Sequence, residues 1–370
     1  MPLLEALGSV FCQRWTAVLH LLPRATVYDP EDCEPVHKLR VAARRLSAVL
    51  DVLAQAFPEV PKKRLFRTVD EMRRVCGAAR DVDVRLQFLE KLVPSASHED
   101  AGIIEVLCER MIRKREAMQR RLGKRLLRLE RKLRRCGEEL VEALDLMRDP
   151  DPPLAGDFGD AGARIVLKEL DVVWSRAALD CESTKGLHQL RIACKRLRYA
   201  AEIFFPVLDP RLRETFYPHL EEIQELLGEV HDVAVASEKL RRQHKKWRRR
   251  RRDREWTGGG LAAFSGRELR VAVEGIQKAY AEAGVRAEKA FHELWPDFSG
   301  EGFRVPVTRL LTEPGEVSRH PGPAESLTGQ AAAVHHQPAG SRHKENSPDR
   351  TTCAEPQNGA PRAVLPAGGE

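Results

Sequence analysis

Val36–Phe57, VHKLRVAARRLSAVLDVLAQAF, returns in altered form as Leu187–Leu208, LHQLRIACKRLRYAAEIFFPVL. The two share the order His-x-x-Arg-[Val/Ile]-Ala-x-[Arg/Lys]-Arg-Leu. Neither has Gly or Pro in its early turns, and apolar residues recur at three and four, which predicts a helix for each. At about 100° per residue, Leu39, Leu46, Val49, Leu50, Leu53 and Phe57 share one side of the first helix. His37, Arg40 and Arg44 stack on the other, as His188, Arg191 and Lys195 do in the second. Each helix thus offers an apolar face to a core and a narrow stripe of His and cationic heads. One such stripe would read as a solvated face. Solvation alone does not require the same spacing twice.

The repetition extends beyond the helix. Cys76–Val84, CGAARDVDV, pairs with Leu227–Val235, LGEVHDVAV. His37 to His188, Gly77 to Gly228 and Asp81 to Asp232 are all separated by 151 positions. Two motifs that keep their spacing in both copies indicate duplication of a whole structural unit.

On these residues the chain resembles the CHAD family, the conserved histidine α-helical domain, over about residues 1–298. The resemblance rests on the two His-x-x-Arg-x-x-x-[Arg/Lys]-Arg helices and the two Gly-x-x-x-Asp segments. It implies an all-α fold of two pseudo-symmetric helical bundles facing across a basic cavity, and binding of inorganic polyphosphate. His37, Arg40, Arg44 and Arg45 match the first signature; His188, Arg191, Lys195, Arg196 and Arg198 match the second. The family often carries a further basic residue where this chain has Ser47, so the first half is expected to grip less well.

The net charge of +7 is unevenly spread. Arg241–Arg254 alone contributes +9, the segment from Ser299 to Glu370 contributes −1, and the remainder is nearly balanced. The basic residues of the body matter only if the fold sorts them onto one surface. Glu5, Gln13 and Arg14 interrupt the one apolar stretch near Met1, which gives no sign of a leader or membrane span. The eight cysteines are scattered without a C-x-x-C. Cys76, Cys108 and Cys194 fall on apolar helix positions, which predicts reduced, buried thiols in a cytoplasmic chain. Polyphosphate granules are then a place of association.

Taken in order, Leu3–Leu22 reads as a helix ended near Pro23. Asp32 or Glu34 favours the start of the first signature helix, and Pro58 and Pro61 end it. Lys62–Leu92 is helical. Asp100–Met147 is Arg-rich and helical, either unbroken or broken near Gly123 or Gly137. Asp149–Gly162, dense in Pro and Gly, marks the junction between halves of about 1–150 and 160–298. Ala163–Cys181, the second signature helix, Arg211–Leu240 and Ala262–Leu294 complete the helical part. The composition of 299–370 predicts a disordered tail.

The chemistry points to an anion. Arg forks onto phosphate oxygens and Lys supplies a point charge; heads at i, i+3 and i+7 span roughly 10 Å of helix axis. Few aromatics accompany the stripes, which weighs against single-stranded nucleic acid; Tyr199 and Phe204 read as core. His37 and His188 are either donors to phosphate or residues bonded to a neighbouring helix. Asp81 and Asp232 are expected to orient a nearby Arg or to occupy plain helix surface, and Gly77 and Gly228 to permit close helix approach. There is no G-x-x-x-x-G-K-[ST] and no H-E-x-x-H, nor the E-x-E-x-K of the triphosphate-tunnel enzymes often fused to this family. His231–Asp232 resembles a metal-hydrolase ligand pair, but the matching position in the first half is Arg80, so His231 reads as a drifted binding or surface residue. The expectation is therefore polyphosphate binding without catalysis, cofactor or metal. A metal-dependent phosphohydrolase is one alternative. Another is a nucleic-acid-binding protein that uses residues 241–254, which otherwise form a solvated helix extension or arm.

Overall fold

Each long apolar-periodic segment becomes a helix whose first turn is capped where the sequence supplies an oxygen. The computed structural model describes residues 1–27, 32, 34–57, 62–147, 157–252 and 259–313. The helices are α1 (Leu3–Thr26), α2 (Glu34–Ala56), α3 (Lys63–Leu92), α4 (His98–Leu146), α5 (Phe158–Leu179), α6 (Thr184–Phe204), α7 (Tyr217–Arg252), α8 (Gly266–Ser299) and α9 (Glu301–Thr312). Asp32 accepts the Glu34 N–H at 2.8 Å to start α2. Ser183 accepts the Gly186 N–H at 3.0 Å to start α6. Ser265 and Glu268 form a reciprocal box at the start of α8, satisfying donors that the helix leaves unpaired. No strand occurs among the described residues.

Neighbour relations recur between the halves. α1 packs on α2, α2 on α3 and α3 on α4; α5 packs on α6, α6 on α7 and α7 on α8. The halves meet where α2 touches α6, α4 touches α8 and α1 touches α5. One core cluster joins α1, α2, α5 and α6 to the adjoining parts of α3, α4, α7, α8 and α9. A second forms where the remaining parts of α3, α4, α7 and α8 pack together.

Two expectations are corrected, at Pro23 and beyond 298, and one open alternative is settled: α4 is one unbroken helix. Its glycines admit α1 instead of breaking it: a Cβ at Gly137 would lie 2.2 Å from the Trp15 ring, and one at Gly123 would lie 2.7 Å from the Thr26 carbonyl oxygen. α1 runs through Pro23 to Thr26. Helical structure does not stop at 298, because α9 continues to Thr312 and buries Val307 and Leu311. α9 packs on both α5 and α8, and Arg304 lies 4.4 Å over the Trp174 ring. α4 is long enough to return onto α1; in the second half α9 fills the corresponding gap. The rest of the expected tail, 314–370, lies outside the described residues. So does most of the junction, 148–156, although Gly159 and Gly162 fall inside α5.

Candidate anion-binding site

The apolar sides of α2 and α6 are buried as their periodicity requires: Leu39, Leu46, Leu50, Leu190 and Leu197 have no exposed surface. Tyr199 and Phe204 are core residues, as are Cys76 and Cys194. The opposite stripes are half-buried, and they face one another. Arg40 and Arg44 of α2 lie close enough to Lys195 of α6 to act on its charge. Arg44 also acts on Arg191, and Asp232 of the second half on Arg40 of the first. Arg40, Arg44, Arg191 and Lys195 therefore form one cluster of basic side chains drawn from both halves.

Crowding cations in a half-buried place leaves its mark. The Lys195 ammonium is pushed down to about 6, by burial first and then by Arg191, Arg44 and Arg40. The Arg40 guanidinium is lowered to about 10 by burial and by Arg44, against the pull of Asp81 and Asp232. Burial lowers Arg191 as well, opposed by Asp232. Burial and like charge both disfavour the charged form. The Nε of Arg191 and the Nδ1 of His37 are buried without a hydrogen-bond partner.

The downstream motif supports the stripes from α3 and α7. The Arg40 guanidinium lies against α3 at Gly77, but a Cβ there would meet its Nε at 3.5 Å, an ordinary contact, so the approach does not require the glycine. Gly228 has open space around it and shows no such approach. Asp232 lies 3.6 Å from the Arg191 guanidinium, an ion pair longer than a hydrogen bond. Asp81 instead binds Lys239 at 2.7 Å, an ion pair that crosses between the halves.

His231 is the residue that sequence reasoning undervalues. Its Nδ1 lies 3.2 Å from the Nδ1 of His188, with the rings stacked at 4.8 Å. Burial, then Arg191 and His188, push its imidazole down to about 4, so it is neutral near pH 7. In the first half the equivalent position is Arg80, whose charge, after burial, is the main force lowering His37. The position before the motif aspartate thus meets the signature histidine in both halves. The shared offset of 151 held that signal, because it carries Arg80 onto His231 as it carries His37 onto His188.

Three signature cations are engaged elsewhere. Arg45 donates to Glu202 at 2.7 Å. Arg198 lies 3.5 Å from Glu202 and 3.8 Å from Glu221. Arg196 donates to the buried Glu169 at 2.9 Å. Ser47 is buried and accepts from Arg73 of α3 at 3.1 Å, so a cation reaches that place from a neighbouring helix. Among the described residues, no group of three His, Cys, Asp or Glu side chains is placed to hold a metal ion, and no helix is long and apolar enough to cross a membrane.

The sequence profile of the CHAD domain matches residues 15–241. The chain belongs to the CHAD family. Its fold is similar to that of the CHAD domain from the plant Ricinus communis, at a TM-score of 0.60 and 23% identity, covering 79% of this chain and 91% of that one. It is also similar to PptA from Streptomyces chartreusis, at a TM-score of 0.57 and 14% identity, covering 80% and 99%. No curated protein matches this CHAD chain. At these identities the solved structures bear on the fold, and the profile on the family. The CHAD match ends at 241, inside α7, so the lower part of α7, α8 and α9 lie outside it.

Proposed function

We propose that this CHAD domain binds inorganic polyphosphate along the cluster between α2 and α6 and does not turn it over. The observation that carries this reading is the convergence of Arg40, Arg44, Arg191 and Lys195 from the two halves. Half-buried like charges are unfavourable together until an anion enters and offsets both the desolvation and the repulsion. A polymer that touches both stripes gains the second set of contacts at high effective concentration. His188 and His231, beside Arg191 and Lys195, supply further hydrogen bonds. Arg45, Arg196 and Arg198, each with its carboxylate, do not touch the polymer and act in packing. The ligand is a base-free polyanion, because few aromatic rings flank the stripes and Tyr199 is buried.

A titration with long polyphosphate at several salt concentrations, with single-stranded DNA as competitor, tests the reading. Saturable binding that weakens with salt and resists DNA supports it. Equal displacement by DNA would favour general polyanion binding through the exposed part of residues 241–254.

A further inference from the structure

The second core cluster holds a cavity of about 230 Å³ that the proposed polyphosphate site does not use. It lies where α3, α4, α7 and α8 meet. Its inner wall is apolar and buried: Leu89, Leu107, Met111, Ala236, Trp247 and Tyr280 each have 8% or less of their surface exposed. Arg85, Arg110 and Lys114 also line it, and no carboxylate does. We propose that this cavity binds a small amphipathic anion, an alkyl or single-ring body bearing one acidic head.

Its size sets the body. It falls below the roughly 300–1,000 Å³ typical of sites for drug-sized ligands, so a medium-length chain or one ring fills it. Its chemistry sets the head. Arg85 comes from α3 and the other two from α4, so a head group between them meets cations from two directions. Arg85 Nε already donates to the Asp81 carbonyl at 2.9 Å, which fixes its stem. The Lys114 ammonium is lowered by burial and then by Arg85 and Lys239. Arg110 is lowered by burial and then by Arg113 and Arg250. The groups acting on both are cationic. Tyr280 stacks on Phe88 at 4.0 Å and Arg110 lies 5.8 Å from the Trp247 ring centroid, so the aromatic wall is held in place before any ligand arrives. Asp81 acts both on Arg85 of this cavity and on Arg40 of the α2–α6 cluster, but the proposal does not rest on the polyphosphate reading.

The full chain should be titrated by calorimetry with octanoate, octan-1-ol and octylammonium, which share one body and differ in head. Octanoate should bind one to one and at least about tenfold tighter than octanol, the low end for a hydrogen bond to a charged group. Octylammonium should bind more weakly than octanol. Lys114→Met and Arg85→Met should each remove much of the octanoate preference, while Ala236→Leu should weaken all three ligands by filling the wall. If Ala236→Leu fails to fold by circular dichroism, the two charge variants still decide the matter. Octanoate and octanol binding alike would mean that the cations merely lay their stems along an apolar void, and would overturn the proposal. Displacement of octanoate by long polyphosphate would overturn it too, by making the cavity part of the polymer's track.

Discussion

Arg45 of α2 donates to Glu202 of α6 at 2.7 Å, tying one half of the molecule to the other. Glu202 is buried and also accepts from Tyr217 at 2.8 Å, with Arg198 at 3.5 Å. The Arg after the stripe in the first signature helix therefore ties the halves together while its neighbour Arg44 lies near Arg191 and Lys195.

Glu202→Ala leaves Arg45 and Arg198 without their shared carboxylate. We expect a loss of about 1–3 kcal/mol in urea unfolding, below the cost of breaking a fully buried pair, because the Arg45 side chain is 36% exposed and can turn to solvent. Arg196→Ala leaves the buried Glu169 carboxylate without this partner, and should cost at least as much.

Lys195 makes stability and binding oppose each other. Its folded value is about 6, against about 10.4 in an unfolded chain. Between these values the unfolded state holds a proton that the folded state lacks, so the penalty grows as pH falls from 10 to 6 and is constant below. Lys195→Met should raise the Tm by a few degrees at pH 6 and by nothing near pH 10.5, while weakening polyphosphate. Binding to the wild type at pH 7.5 should take up close to one proton, measured by calorimetry in buffers of different ionisation enthalpy. A variant no more stable at pH 6 than at pH 10, or binding without proton uptake, would remove Lys195 from the site.

Residues 241–252 cannot be deleted as a loose arm. They extend α7, Trp247 is buried in the second core, and Arg251 donates to the Phe264 carbonyl. Exposed Lys245, Lys246 and Arg248 can be changed to Gln together. This should weaken DNA and polyphosphate by similar, small factors in competition assays and leave the preference for polyphosphate intact.

Turnover should be absent. Purified protein with Mg²⁺ or Mn²⁺ should release no phosphate from polyphosphate or nucleotides. Steady release abolished by His231→Ala would establish the phosphohydrolase alternative.

Much of the architecture was legible because periodicity and repetition are local signals. The stripes, α2, α3, α6 and the buried cysteines all follow from spacing. What escaped depended on distant partners. Arg44 and Arg45 look alike in sequence, and only the arrival of Glu202, 157 residues away, separates them. The glycines of α4 are poor helix residues by propensity, but the close packing of Trp15 and Thr26 outweighs that cost. α9 is short, contains Pro306 and sits in a polar composition; its two buried side chains find a surface only once α5 and α8 are in place.

The central claim is that two stripes make one site. It is tested most directly by the affinity of long polyphosphate at several salt concentrations for the wild type, Arg40→Ala with Arg44→Ala, and Arg191→Ala with Lys195→Ala. Each double variant should bind far more weakly. Each should also lower the slope of log affinity against log salt by about 1.4, roughly 0.7 for each phosphate no longer neutralised if single-stranded nucleic acid is a fair analogue. Either variant binding like the wild type, with an unchanged slope, would contradict the account.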